Sequence, residues 1–334
     1  MPTETTEFIP PKSWQELCDP IQPFLDEVSN CLQEQVKNFD PQIATFVQYA
    51  LASQGKQLRP ALVALGARAA GGLKPLHVRA AVIIEMVHLA TLVHDDVVDA
   101  AEVRRSRPTL AANWGNKVSV LAGDCLFAEA LRLAAALPTT EVCELVSRSA
   151  KVVCTGEIRQ TLQRGNFELG REEYLDLVRM KTAELFALAC ELGARLAAPE
   201  NTAAHKALRE YGIQLGTAYQ IYDDCLDLFG EEAQAGKSLG TDLATGKATL
   251  PVITVLESAD EIEYKAWLAM LKEGGAQTDI IREGLLARKI PGSCREVVEG
   301  YIERANASVA DLQSAKALHG LSACLTSQLC LLSE

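Results

Sequence analysis

The chain has no excess of positive charge, no paired CxxC motif and few aromatic residues. Its formal net charge is -12. That excludes sequence-independent nucleic-acid binding, which needs a basic footprint. The ten cysteines run from Cys18 to Cys330 with no two at CxxC spacing, so zinc-ribbon and thioredoxin-like chemistry have no framework. His88 and His94 are six apart and do not make an HExxH zinc pair. The GKS at 236–238 lacks the P-loop's leading glycine, because position 231 is Glu. The opening residues, MPTETTEFIPPK, have neither the basic nor the apolar region of a secretory signal. No uninterrupted apolar run reaches the length of a membrane span. The expectation is a cytoplasmic protein with no transmembrane segment and with buried, free thiols.

What is present is helix-forming apolar sequence. Of 334 residues, 48% are hydrophobic and only 5% aromatic; the rest of the apolar content is largely Ala, Leu and Val. LCDPIQPFLDEVSNCLQEQV spaces its apolar residues at threes and fours. PALVALGARAAGG reads as a helix stopped by Gly71 and Gly72. LHVRAAVIIEMVHLATLVHDDVVDA is apolar on most sides, as a central helix is. VSVLAGDCLFAEALRLAAAL, EVCELVSRSAKVVCTGEIRQTLQ, REEYLDLVRMKTAELFALACELGARLAA and HKALREYGIQLGTAYQIYDDCLDLFG follow as further helices. TLPVITVL is the best strand candidate but reads as helix in this company. No composition break divides the chain. The expectation is a flexible start over 1–12 and one all-α domain of long helices over 13–334.

Two aspartate clusters stand out. Asp95, Asp96 and Asp99 occupy i, i+1 and i+4 of one helix, and Asp223, Asp224 and Asp227 repeat that spacing. At 100° per residue each set fits within about 100° of arc. Three like charges facing one space are unfavourable without cations. They suit Mg²⁺, a hard ion that takes oxygen ligands and shares them with substrate phosphates. A single such cluster is usually a solvated helix face. Two equal clusters, each ending a long apolar helix, imply one cavity. Basic residues accompany them: Lys56 and Arg59 in GKQLRP, then Arg104, Arg105, Lys181, Lys237 and Lys247. Diphosphates take both kinds of partner, metal ions held by carboxylates and Arg or Lys on the remaining oxygens.

In GKQLRP, EMVHLATLVHDDVVD, RRSRPT, WGNKVSVLAGDCLF, MKTAELF, GTAYQIYDDCLDLFG and GKSLGTDLATGKATLP, in that order, the sequence resembles the trans-isoprenyl diphosphate synthases, the polyprenyl synthetase family. The resemblance covers about 50 to 255. It implies the isoprenoid-synthase bundle of helices around a central cavity, and a homodimer. It also implies head-to-tail condensation of an allylic prenyl diphosphate with isopentenyl diphosphate. By that resemblance three Mg²⁺ ions would sit on Asp95, Asp99 and Asp223, supported by Asp96, Asp224 and Asp227. Lys56, Arg59 and His88 would hold isopentenyl diphosphate with help from Arg105. Arg104, Lys181, Lys247 and Lys237 would meet the allylic diphosphate, and Thr182 and Gln220 would turn oxygen toward the carbocation.

Three departures from the family pattern stand beside this. Ser106 follows the arginine pair where Gly is usual, Cys225 replaces an aliphatic residue, and LCLLSE ends the sequence without the basic tail of some short-chain members. For product length, Thr91 and Ala90 are small where short-chain members carry an aromatic plug, and Ala134 stands where a tunnel floor would be. The expectation is a long-chain product. A geranylgeranyl or farnesyl diphosphate synthase, a terpene cyclase and a non-catalytic partner subunit are the alternatives. A cyclase usually lacks the second DDxxD, and a regulatory subunit tends to lose aspartates that are all present here.

Overall fold

The computed structural model describes residues 14–52, 55–230, 239–273 and 277–329. Lys237 and the expected flexible start lie outside the described residues. Helices dominate: α1 (Trp14–Cys18), α2 (Gln22–Gln35), α3 (Pro41–Leu51), α4 (Leu58–Ala70), α5 (Pro75–Val98), α6 (Leu110–Trp114), α7 (Asn116–Ala135) and α8 (Glu141–Leu162). They continue with α9 (Arg171–Val178), α10 (Glu184–Ala197), α11 (Thr202–Phe229), α12 (Thr241–Ala244), α13 (Leu250–Ser258), α14 (Glu261–Lys272), α15 (Thr278–Ala287), α16 (Ile290–Ser308) and α17 (Lys316–Leu329). The TLPVITVL segment is helical, as α13.

The ends of the site-bearing helices have local causes. Pro75 opens α5, where its missing N–H costs nothing. Gly71, at φ 144°, closes α4. The Asn201 side chain accepts from the Ala204 amide to cap α11, and α11 ends at Gly230.

Buried apolar residues from α1 through α17 form one continuous cluster. α10 runs through its centre, buried from Glu184 to Ala194, with α4, α5, α8 and α11 packed around it. The close approach of α11 depends on glycine. A Cβ at Gly212 would sit 2.5 Å from Ala187 Cα, and one at Gly216 would sit 2.6 Å from Ala183 Cα, distances no side chain tolerates.

Three details differ from the sequence reading. First, α5 is long and apolar enough to cross a membrane by length and composition, contrary to expectation; 72% of its most apolar window is buried inside the fold. Its apolarity is that of a core helix. Second, REEYLDLVRMKTAELF is not one regular helix: a wide π turn, Arg179–Ala183, separates α9 from α10. Third, VRRSRP forms a two-stranded hairpin, β1 (Val103–Arg104) against β2 (Arg107–Pro108), with Arg104 opposite Arg107. Both turn residues, Arg105 and Ser106, are left-handed, at φ 52° and 58°.

Candidate active site

The ends of α5 and α11, the wall of α8, the π turn and the β hairpin enclose a cavity of about 1910 Å³. Asp95 and Asp99 line it from α5, and Asp223, Asp224 and Asp227 from α11. The two clusters therefore share one space. Within each cluster the middle aspartate stands about 60° further round the helix than the third and about 100° further than the first. This gives it a separate partner.

Asp96 is only 5% exposed and does not face the cavity with Asp95 and Asp99. Its Oδ1 accepts from Arg104 Nε at 2.7 Å. Burial raises its pKa and Arg104 opposes the shift. The expectation that all three carboxylates meet one space is thus corrected for Asp96, which anchors the hairpin. Asp99 pairs with Arg164, which also donates to the Val98 carbonyl at 3.2 Å, and lies 3.9 Å from Lys247 Nζ. Burial pushes Asp95 up to about 6; Lys181 opposes the shift, and Glu157 and Asp99 add to it.

In the second cluster Asp224 is buried and accepts from Tyr174 Oη at 2.5 Å and from Gln220 Nε2 at 2.7 Å. Burial raises its pKa and Asp242 adds to the rise, while the two donors pull it back. Asp227 accepts from the Thr241 hydroxyl and the Asp242 amide, each at 3.0 Å, which fixes the chain entering α12.

Cations complete the wall. Lys181 pairs with Glu157 and donates to Gln160 Oε1 at 2.8 Å. Lys247 lies 3.3 Å from Asp242. Burial alone would lower the Lys247 pKa, but Asp242 and Asp99 outweigh it and hold the ammonium above its ordinary range. At the other end are Lys56, Arg59, Glu85, His88 and Arg105. The Arg59 guanidinium stands 5.3 Å from the centre of the Phe186 ring. His88 is held well below its ordinary range by burial and then by Arg59, Arg105 and Arg104.

Thr182 Oγ1 donates to Gln220 Oε1 at 2.7 Å. The expected oxygen dipoles are therefore linked to each other and, through Gln220, to Asp224. Thr91 lines the cavity beside Leu92, Val153 and Cys154, and its hydroxyl donates back to the His88 carbonyl. Ala90 and Ala134 are buried core residues outside this wall. His94 bonds through Nε2 to the Val120 carbonyl of α7 at 3.1 Å.

Sequence reasoning missed Glu85, Arg164 and Tyr174. Each is an ordinary residue in an ordinary helical stretch, and its partner lies elsewhere in the chain. The spacing of Glu85 three residues before His88 was the one available signal, since i and i+3 share a helix face.

The donor set fits a divalent hard cation. Asp95, Asp99 and Asp223 offer carboxylate oxygens to the cavity, and lysines stand where anionic oxygens would need them. Among the described residues no three acidic, His or Cys side chains converge on one point. A closed protein cage is therefore not built. Mg²⁺ held by one or two carboxylates and completed by phosphate and water needs none.

This arrangement, two facing carboxylate sets and a cationic rim on a helical bundle, defines a diphosphate-handling isoprenoid enzyme fold. Residues 40–285 match the polyprenyl synthetase family, and the chain belongs to that family. It is 34% identical over 86% of its length to octaprenyl diphosphate synthase of Escherichia coli K12, covering 88% of that protein. It superposes with a TM-score of 0.87 on a decaprenyl diphosphate synthase from Rhodobacter capsulatus, at 31% identity over 95% of this chain and 99% of that one. A polyprenyl synthase from Caulobacter crescentus CB15, complexed with calcium and isoprenyl diphosphate, also has a TM-score of 0.87, at 32% identity over 95% and 98% of the two chains.

Proposed function

We propose that this protein condenses an allylic prenyl diphosphate with isopentenyl diphosphate, head to tail and repeatedly, to give a long-chain all-trans polyprenyl diphosphate. The observation that carries the reading is the meeting of both aspartate clusters, with Lys181 and Lys247, in one cavity. The likeness to octaprenyl and decaprenyl diphosphate synthases supports the product class.

The reaction breaks the allylic C–O bond, whose electron pair leaves with the diphosphate. The double bond of isopentenyl diphosphate supplies the pair for the new C–C bond. A proton then departs to the released diphosphate, and a new double bond forms. Asp95, Asp99 and Asp223 are assigned to hold three Mg²⁺ ions, which when bound supply Lewis-acid neutralisation of the leaving group. Lys181, Lys247 and Arg104 bind the allylic diphosphate. Lys56, Arg59, His88 and Arg105 bind isopentenyl diphosphate. Thr182 and Gln220 face their oxygen atoms toward the cationic carbon, and the enclosing helices exclude the water that would quench it. The small side chain of Thr91 leaves the wall below Asp95 open for chain growth.

We assign the enzyme to the cytoplasm, where free thiols persist. We also assign it a homodimeric state, for which the exposed Val120 and Leu121 of α7 offer apolar surface. Light scattering of the purified protein tests the dimer. The reaction is tested by following pyrophosphate release from both diphosphates with Mg²⁺ and with a chelator. Release with Mg²⁺ and none with the chelator is expected; no release in either overturns the reading.

A further inference from the structure

α9 and the π turn are joined to α11 by a chain of four polar side chains. Tyr174 Oη donates to Asp224 Oδ2 at 2.5 Å, Gln220 Nε2 donates to Asp224 Oδ1 at 2.7 Å, and Thr182 Oγ1 donates to Gln220 Oε1 at 2.7 Å. Gln220 and Asp224 are neighbours at i and i+4 on α11. Their partners on the other side, Tyr174 and Thr182, are eight residues apart. In unbroken α-helix eight residues turn through about 800°, which would leave them roughly 80° apart on the helix surface. The π turn between them, Arg179–Ala183, takes up one extra residue. The same eight residues then turn through about 700°, within roughly 20° of one face. The irregularity in the helix is what allows both bonds at once. It also places Lys181, next to Thr182, on the cavity wall.

Tyr174 is buried at 4% exposure. Burial and then Asp224 push its pKa well above the ordinary tyrosine range, so the hydroxyl stays a donor. A phenol O–H in the core must find an acceptor, and this one takes the carboxylate next to a proposed metal-holding residue. With one donor on each oxygen, Asp224 has a single orientation, and so does the turn of α11 that carries Asp223.

We infer that Tyr174 is a positioning residue for the divalent-cation site: its hydroxyl fixes Asp224, and through Gln220 and Thr182 it registers the second aspartate cluster against the wall that carries Lys181. This rests on the proposal above that these aspartates hold divalent cations with diphosphate. Tyr174 reaches the cavity wall, and the role assigned to it is to hold Asp224, not to react. Removing its hydroxyl loosens the metal side of the site and leaves the isopentenyl diphosphate side, Lys56, Arg59 and His88, as it was.

The test is Tyr174→Phe, which keeps the ring and deletes only the donor. Calorimetric titration of Mn²⁺ with inorganic pyrophosphate reads the site without turnover. The variant is expected to bind about tenfold more weakly than the parent, as loss of a partner behind a metal ligand typically does. In the prenyl-transfer assay its Mg²⁺ requirement should rise by a similar factor, with the KM for isopentenyl diphosphate unchanged. Equal Mn²⁺–pyrophosphate affinity in variant and parent would overturn the inference. So would an equal loss in both KM values with no change in Mg²⁺ requirement, the mark of a merely structural role. If the phenylalanine variant melts below the assay temperature, the same titration on Gln220→Met, which removes the donor to the other oxygen, carries the test. A parent protein that binds no Mn²⁺ with pyrophosphate would instead sink the functional reading itself.

Discussion

Arg104 Nε donates to Asp96 Oδ1 at 2.7 Å, so the middle aspartate of the first cluster is tied to the hairpin and its neighbours are left to the cavity. The three carboxylates are then unequal. Asp95→Asn removes an oxygen assigned to a cation and should slow turnover by on the order of 10²-fold, about 3 kcal/mol of transition-state charge stabilisation. Asp96→Asn weakens a charge-assisted bond. It should raise the KM for the allylic diphosphate by roughly tenfold, about 1.4 kcal/mol, with a smaller change in kcat. Steady-state kinetics on both variants checks the order; equal effects would deny Asp96 its separate role.

Desolvation and then Arg59, Arg105 and Arg104 hold the His88 imidazole well below its ordinary range. The unfolded chain takes up a proton on this imidazole below its ordinary value of 6.5 and the folded one does not. Its folded pKa is therefore depressed. The associated stability is complete above 6.5 and is lost as pH falls from there toward the folded value. Proton NMR should show no His88 titration between pH 6 and 8. His88→Asn should remove part of the acid-side loss of melting temperature below pH 6.5.

Ser106 sits at φ 58° in the hairpin turn, beside Arg105 at φ 52°. A left-handed conformation costs a non-glycine residue about 1 kcal/mol, partly returned as lower chain entropy in the unfolded state. Ser106→Gly should therefore raise stability by roughly 0.5 kcal/mol, read as a higher midpoint in urea. A lower midpoint would mean that the serine hydroxyl holds the turn.

Thr91 and Ala90 are adjacent in sequence but differ in surroundings. Thr91→Phe places a ring in the cavity wall and should shorten the product ladder while early condensation steps survive. Ala90 is 1% exposed in the core, so Ala90→Phe should instead destabilise the fold by about 1–3 kcal/mol. Product chromatography and melting curves separate the two outcomes.

The aspartate clusters were legible because spacing on a helix is a local property, and two identical spacings at helix ends carry more than one. The helical architecture was legible for the same reason, from periodicity and glycine stops. The partners of Asp96 and Asp224 were not. The angular offset of each middle residue, about 60–100° from its neighbours, is visible in sequence, but what it meets is set by packing, and Tyr174 lies 50 residues before Asp224. The π turn left no signature, since RMKTA is unremarkable helical sequence. Arg164 reads as a surface residue until α8 brings it to the end of α5. Ala134 reads in sequence as standing where a tunnel floor would be; it is a buried core residue outside the cavity lining.

Repeated condensation in the cavity between the two aspartate clusters is the activity proposed for this protein. The direct measurement is to incubate the purified protein with Mg²⁺, farnesyl diphosphate and labelled isopentenyl diphosphate, and to resolve the products by length. A Mg²⁺-dependent ladder ending well beyond the geranylgeranyl length is expected. A sharp stop at geranylgeranyl would contradict the long-chain assignment, and no elongation with any allylic primer would contradict the enzyme.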